Sequence, residues 1–179
     1  EIAAFRNDIR DFVYLTPTAE FRQGLRVFRH VQADALLTGG ELSAELQVAR
    51  PLTLRARHDF VRGTNDLTGE PLPLMPPSRS AAGADFRATP RWASSLFAGG
   101  EVEYVARQNR PNPADFVTPG YTLLNFDVGI VKNFLGRDTR IEAGVRNAAD
   151  VRYRSFLSRY KEFALDPGRN IIIRVSVDT

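Results

Sequence analysis

The chain has 179 residues, the size of one domain, with a formal net charge of +3 and no cysteine, which excludes a disulfide frame and any thiolate metal site. No apolar run approaches the roughly 18–20 residues that a membrane helix needs, so a helical span is excluded, whereas a barrel, whose strands hide their hydrophobicity in alternation, is not. Of the 24 basic residues only Lys132 and Lys161 are lysines, and acidic residues are spread among the arginines with no basic block, which gives nucleic-acid binding little support.

The chain starts at Glu1 with no initiator Met and no leader-like segment, and reads as an internal or processed piece. Glu1 to Tyr14 has noisy alternation but strand-forming content, and Thr16-Pro17-Thr18 is expected to break it. Leu25 to Ala49 reads as one very long strand. Its apolar phase is odd through Val31, Ala33 and Ala35, then even through Leu42, Ala44, Leu46 and Val48, which predicts a β-bulge near Gly39-Gly40. After a short turn at Arg50-Pro51, Leu52, Leu54, Ala56, His58 and Phe60 line one face. A Pro- and Gly-rich break runs from Gly63 to Pro77, and a strand follows over Ser78 to Thr89.

Trp92 to Gln108 reads as the next strand, with Trp92 and Tyr104 on its apolar face. Their twelve-residue separation projects to about 30 Å along a membrane normal, the spacing of the two aromatic girdles of a membrane barrel. A second long loop covers Asn109 to Gly120. Strands follow over Thr122 to Asn133 and over Arg140 to Arg146, parted by a turn near Gly136. The third long loop, Ala148 to Gly168, leads to a last strand from Asn170 with Ile171, Ile173, Val175 and Val177 on one face.

Eight two-faced strands are therefore expected, with long connections after the first, third, fifth and seventh. A sheet with one apolar and one charged face either covers a soluble core or faces lipid from outside a barrel, and the alternation of long and short connections favours the barrel. The fold class read here is all-β, a transmembrane antiparallel β-barrel. A self-closed eight-stranded barrel with a structural or adhesive role and a soluble β-sandwich binding module are the alternatives.

A scattered pattern over nearly the whole chain resembles the C-terminal part of TonB-dependent outer-membrane receptors. It comprises Phe5-Arg6-Asn7-Asp8-Ile9, Ala33-Asp34-Ala35, Gly40-Glu41-Leu42, and Thr118 to Asn125 (TPGYTLLN). It continues in Val145 to Asp150 (VRNAAD) with Tyr153-Arg154, and in Asp166-Pro167-Gly168-Arg169-Asn170 before the last strand. The resemblance implies about the last eight strands of a barrel of about 22, with no plug domain in residues 1–179. It also implies outer-membrane location, contact with lipid and lipopolysaccharide, TonB acting through the missing plug, and import of a ferric siderophore or other metal complex. Members commonly end in an aromatic residue; here Thr179 stands in that place, in register with Ile171 to Val177.

No hydrolytic constellation stands out, so the chain is not expected to be an enzyme, and no cofactor is expected. His30 and His58 lie on different strands without ligand spacing. An embedded phospholipase would need a serine beside His58, and none can be assigned from sequence. The charged face is expected to hold Arg55, Arg57, Asp59, Arg79, Asp85, Arg87, Glu101, Glu103, Arg107, Asp127, Arg140, Glu142 and Arg146 as a mutually paired lattice lining a lumen. Ligand capture is expected in the long loops, at Met75, Arg110, Phe116, Arg152, Tyr153, Phe156, Arg159, Tyr160 and Lys161, where Arg and aromatics suit an anionic, partly aromatic chelate.

Overall fold

The computed structural model describes residues 1–113 and 115–177; the register expected for Thr179 lies outside them. Eight antiparallel strands form one sheet in sequence order: β1 (Ile2–Arg22), β2 (Leu25–Ala49), β3 (Leu52–Asn65), β4 (Arg79–Ala88), β5 (Ser95–Val105), β6 (Tyr121–Phe134), β7 (Arg137–Arg146) and β8 (Asn170–Val177). No helix occurs among the described residues, and β8 does not pair with β1. The sheet is a single layer with open edges at β1 and β8, which sets aside both the self-closed small barrel and the β-sandwich.

The period-two side-chain pattern holds across the ladders. Leu46, Leu54, Ala84, Gly100, Phe126, Val145 and Ile171 are paired in one continuous row across seven strands, and Phe86, Ala98, Val128, Ala143 and Ile173 form the row beside it. More than a dozen large apolar side chains on this face are at least 40% exposed, Ile2 at 83% and Ile173 at 72% being the extremes. Covering a Leu, Ile or Val is worth about 1.5–3 kcal/mol each, so this face stabilises the molecule only against an apolar neighbour.

Three expectations about β1 and β2 are corrected. The chain does not break at Pro17: β1 runs through it, with Pro17 opposite Phe28. Proline lacks a ladder donor, and the register shift that follows it, between Pro17 and Phe21, is a place where a ladder tolerates that. The connection after β1 is not long but the two-residue turn Gln23-Gly24, both at positive φ (51° and 79°), a hairpin geometry that suits the strand twist. The bulge is not at Gly39-Gly40, since β2 pairs with β3 without a shift there. It lies on β1, where Arg10 and Asp11 oppose Asp34, with Asp11 at φ 55° and its N–H donating to Asp34 Oδ1 at 2.9 Å. The bulge flips the phase of β1, which explains its noisy alternation.

The phase switch in β2 has another cause. Its lower half turns Leu42 and Leu46 outward, whereas Val31, Ala33 and Ala35 face the side onto which the loops fold, with Ala35 almost fully buried. The small core sits there, at the loop end, where Leu72 and Phe156 are the largest fully buried apolar side chains.

On the charged face, Gly129 directly opposes Phe97, whose ring occupies the space a Cβ would need, and Arg140 stacks on the same ring 4.4 Å from its centre. Gly129→Val is expected to destabilise the sheet by about 1–3 kcal/mol. The check is the urea midpoint of the folded-to-unfolded gel shift of the receptor containing this chain; relief by a second change, Phe97→Ala, identifies the clash as the cause.

Candidate functional site

The charged face is built by the strand residues out of phase with the apolar rows. Arg55 pairs with Asp85, Arg57 with Glu101 at 3.0 Å, and Arg79 with Asp59 at 3.2 Å, each linking different strands. Arg146 grips Asp127 with both terminal nitrogens at 2.8 and 3.0 Å, a fork geometry that only Arg offers. Glu142 is shared by Arg140 at 2.8 Å and Arg174 at 2.6 Å. Arg87 and Glu103 lie on the same face without an ion pair among the described residues. Arg107 is a correction: β5 ends at Val105, and Arg107 instead lines a crevice with His58 and Arg62. Arg174 was missed as a lattice member, although its even position in β8 was the available signal. A concavity of about 700 Å³ runs over Arg55, Asp85, Asp127 and Arg146.

Three long loops follow β3, β5 and β7, all at the end of the sheet that also carries the β1–β2 turn and opposite the short turns after β2, β4 and β6. They are fastened to each other and to the sheet. Asn65, at the end of β3, donates to the Tyr14 hydroxyl at 3.0 Å and accepts from the N–H groups of Leu67 and Thr68. Asn112 Nδ2 donates to the Pro71 carbonyl at 2.8 Å, and Gln108 Nε2 donates to the Met75 carbonyl, so the second loop holds the first. Lys161 of the third loop reaches Asp115 of the second at 2.7 Å, with both side chains nearly buried. The Lys161 ammonium also donates to the Phe156 carbonyl at 2.8 Å and lies 3.7 Å from the centre of that ring.

The resemblance box has a structural job here. Asn147, buried at φ 49°, accepts from Val151 N–H at 2.8 Å and donates to its carbonyl at 2.9 Å. Asp150 accepts from the Arg169 N–H at 2.8 Å, and Arg169 Nε donates to the Ala148 carbonyl at 2.9 Å. The two ends of the third loop are thus clasped together where β7 ends and β8 begins.

Of the loop candidates, Arg110, Phe116, Arg152, Arg159 and Tyr160 are exposed. Tyr153 is half-buried and stacks on Tyr121 with ring centres 4.4 Å apart; burial, with Asp166 and Glu103 nearby, raises its phenol pKa. Met75 borders the Gly63 backbone and the crevice beside Arg62. Phe156 and Lys161 are corrections: both are buried and spent on holding the loops together, so neither offers a face to a ligand. Trp92 lies in the turn between β4 and β5 rather than on a strand, so extended-strand spacing applies only from Ser95 to Tyr104. Both aromatics are exposed, toward opposite ends of β5. His58 does have a serine neighbour, Ser80, directly across the ladder at 2.8 Å from Nδ1. No acid or carbonyl orients the other ring nitrogen among the described residues, so the pair lacks the second half of a triad.

A one-layer antiparallel sheet with an uncovered apolar face, an ion-paired polar face and all long loops at one end is the wall of a β-barrel. Residues 1–148 match the family described as TonB dependent receptor-like, beta-barrel, and the chain belongs to that family. No curated protein matches. Among solved structures the chain is similar to "Copper transporter OprC", with 23% identity and a TM-score of 0.80 over 97% of this chain and 28% of that one. It is also similar to the ferric preacinetobactin receptor BauA from Acinetobacter baumannii, with 19% identity and a TM-score of 0.70 over 98% of this chain and 26% of that one. The chain therefore spans just over a quarter of the length of either structure. The family is one of receptor-like barrels.

Proposed function

We propose that the chain forms part of the barrel wall, about the last eight strands, of an outer-membrane receptor that imports a scarce metal complex. The apolar face meets lipid, and the ion-paired face looks into a water-filled hollow that a plug domain occupies. TonB acts through that plug. A ferric siderophore is the substrate favoured by the exposed Arg-and-aromatic loop residues, and the named ligands of the two structural neighbours, copper and ferric preacinetobactin, keep the cargo within metals and their complexes.

The observation that carries this reading is the slant of the apolar band. It covers Leu42 to Val48 on β2 and Leu52 to Phe60 on β3, but Leu124 to Ile130 on β6 and Ile171 to Val177 on β8. Leu42 is linked through the ladders to Thr122, two residues before the apolar run of β6 begins. A band that crosses the hydrogen-bonded rows obliquely is what tilted barrel strands require to present a level belt to a bilayer.

The test places nitroxide labels one at a time from 171 to 176 in the receptor containing this chain, reconstituted in bilayers. Oxygen collisions are expected to be high at Ile171, Ile173 and Val175, with a water-soluble nickel chelate favouring Ile172, Arg174 and Ser176. A flat profile overturns the proposal.

A further inference from the structure

Most arginines of the charged face hold a carboxylate, whereas three that gather beside the loops do not. Above Asp59, the last β3 residue paired with β4, β3 continues paired with β2 only, and a crevice of about 410 Å³ opens on its other side beside the loops. Arg62, Arg107 and Arg110 line it, no Asp or Glu does, and none of the three guanidiniums enters an ion pair among the described residues. Its floor is partly apolar, with Phe60 and Met75. The walls are fixed: Gln108 is 6% exposed, donates to the Met75 carbonyl and accepts from the Arg110 N–H at 2.8 Å.

The position of the crevice suggests the source of its ligand. His58 and Phe60 are the last apolar-face residues of β3 toward the loops, and the next residue in that phase is Arg62. The crevice therefore sits at the loop-side end of the apolar band, and Phe60 and Arg62 bring the phase of that band into its lining. Arginine forks suit phosphate oxygens, and an acid-free set leaves that charge unanswered within the protein.

We infer that this crevice binds the phosphate of a lipid headgroup at the outer margin of the membrane, with Arg62, Arg107 and Arg110 on the phosphate and Phe60 beside the start of the acyl region. The inference rests on the proposal that the apolar face meets lipid. Anchoring here would fix the loop base to the leaflet, because Arg107 and Arg110 flank the Gln108 that fastens the second loop to the first.

The experiment is native mass spectrometry of the receptor containing this chain, released from mild detergent holding equal diphosphoryl lipid A and phosphatidylcholine. Wild type is expected to retain lipid A over phosphatidylcholine, and R62Q/R107Q/R110Q is expected to lower that retention about tenfold or more. Should the triple variant not fold, R62Q and R110Q singly, both on exposed side chains, are each expected to lower it severalfold. Equal retention by wild type and variants overturns the inference. Complete displacement of lipid A by millimolar inorganic phosphate also overturns it, since the site would then take a free anion. A flat nitroxide profile along β8 removes the membrane reading and this inference together, whereas a periodic profile with unchanged lipid A retention removes the crevice alone.

Discussion

Lys161→Met is expected to release the third loop from the second while leaving the sheet folded. Asp115 and Lys161 have side chains only 9% and 5% exposed, and one Asp115 oxygen, Oδ2, already has no hydrogen-bond partner. Removing the ammonium strands a buried carboxylate, which costs about 3–5 kcal/mol when its partner alone is lost. That cost falls on the loop cap because the contacts at stake join the second loop to the third and to the Phe156 carbonyl. Hydrogen exchange or limited proteolysis of the receptor should show faster opening over the second and third loops, with the protection of β5 and β6 unchanged. The double change Asp115→Leu/Lys161→Met should recover most of the closure, because two apolar groups of similar volume leave no stranded charge. If Lys161→Met exchanges as slowly as wild type, the pair is not the fastener the geometry makes it.

Much of the sheet was legible because strand side chains alternate strictly and each face has one kind of neighbour. Leu25 to Ala49 keeps the same boundaries in the structure, and the polar phase of β3, β4, β6 and β7 lands on one face. What failed depended on groups distant in sequence. Pro17 reads as a breaker until the register shift that follows it against β2 is known, and the phase switch of β2 reads as a bulge until Ala35 is seen buried at the loop end. Phe156 and Lys161 look like ligand residues because an aromatic and a cation in a loop carry no mark of burial; Asp115, 46 positions before Lys161, decides their role. The Ser80 beside His58 is likewise set by register across a long loop, which spacing in sequence does not fix.

Val128→Arg and Asp127→Asn, changes at adjacent residues, are expected to have opposite outcomes. Val128 is 52% exposed in the middle of the apolar band, between Ala98 and Ala143. On the proposal that this face meets lipid, an arginine there sits in hydrocarbon, at about 2–4 kcal/mol near the midplane of a membrane barrel. The variant should therefore lose most of its folded, heat-modifiable form in the outer-membrane fraction. Asp127 is side by side with Arg146 in a solvated ion pair, and such exposed pairs contribute about 0–1 kcal/mol, so Asp127→Asn should fold nearly as wild type. A soluble protein predicts the reverse order, because a surface arginine in place of an exposed valine is harmless in water. The same contrast should recur at Ile173 and Arg174 on β8 and vanish above Phe60 on β3, where the outward residues are already polar. Equal assembly of Val128→Arg and Asp127→Asn would leave the exposed apolar face without a neighbour, and with it the physical reason for the fold to be a barrel wall.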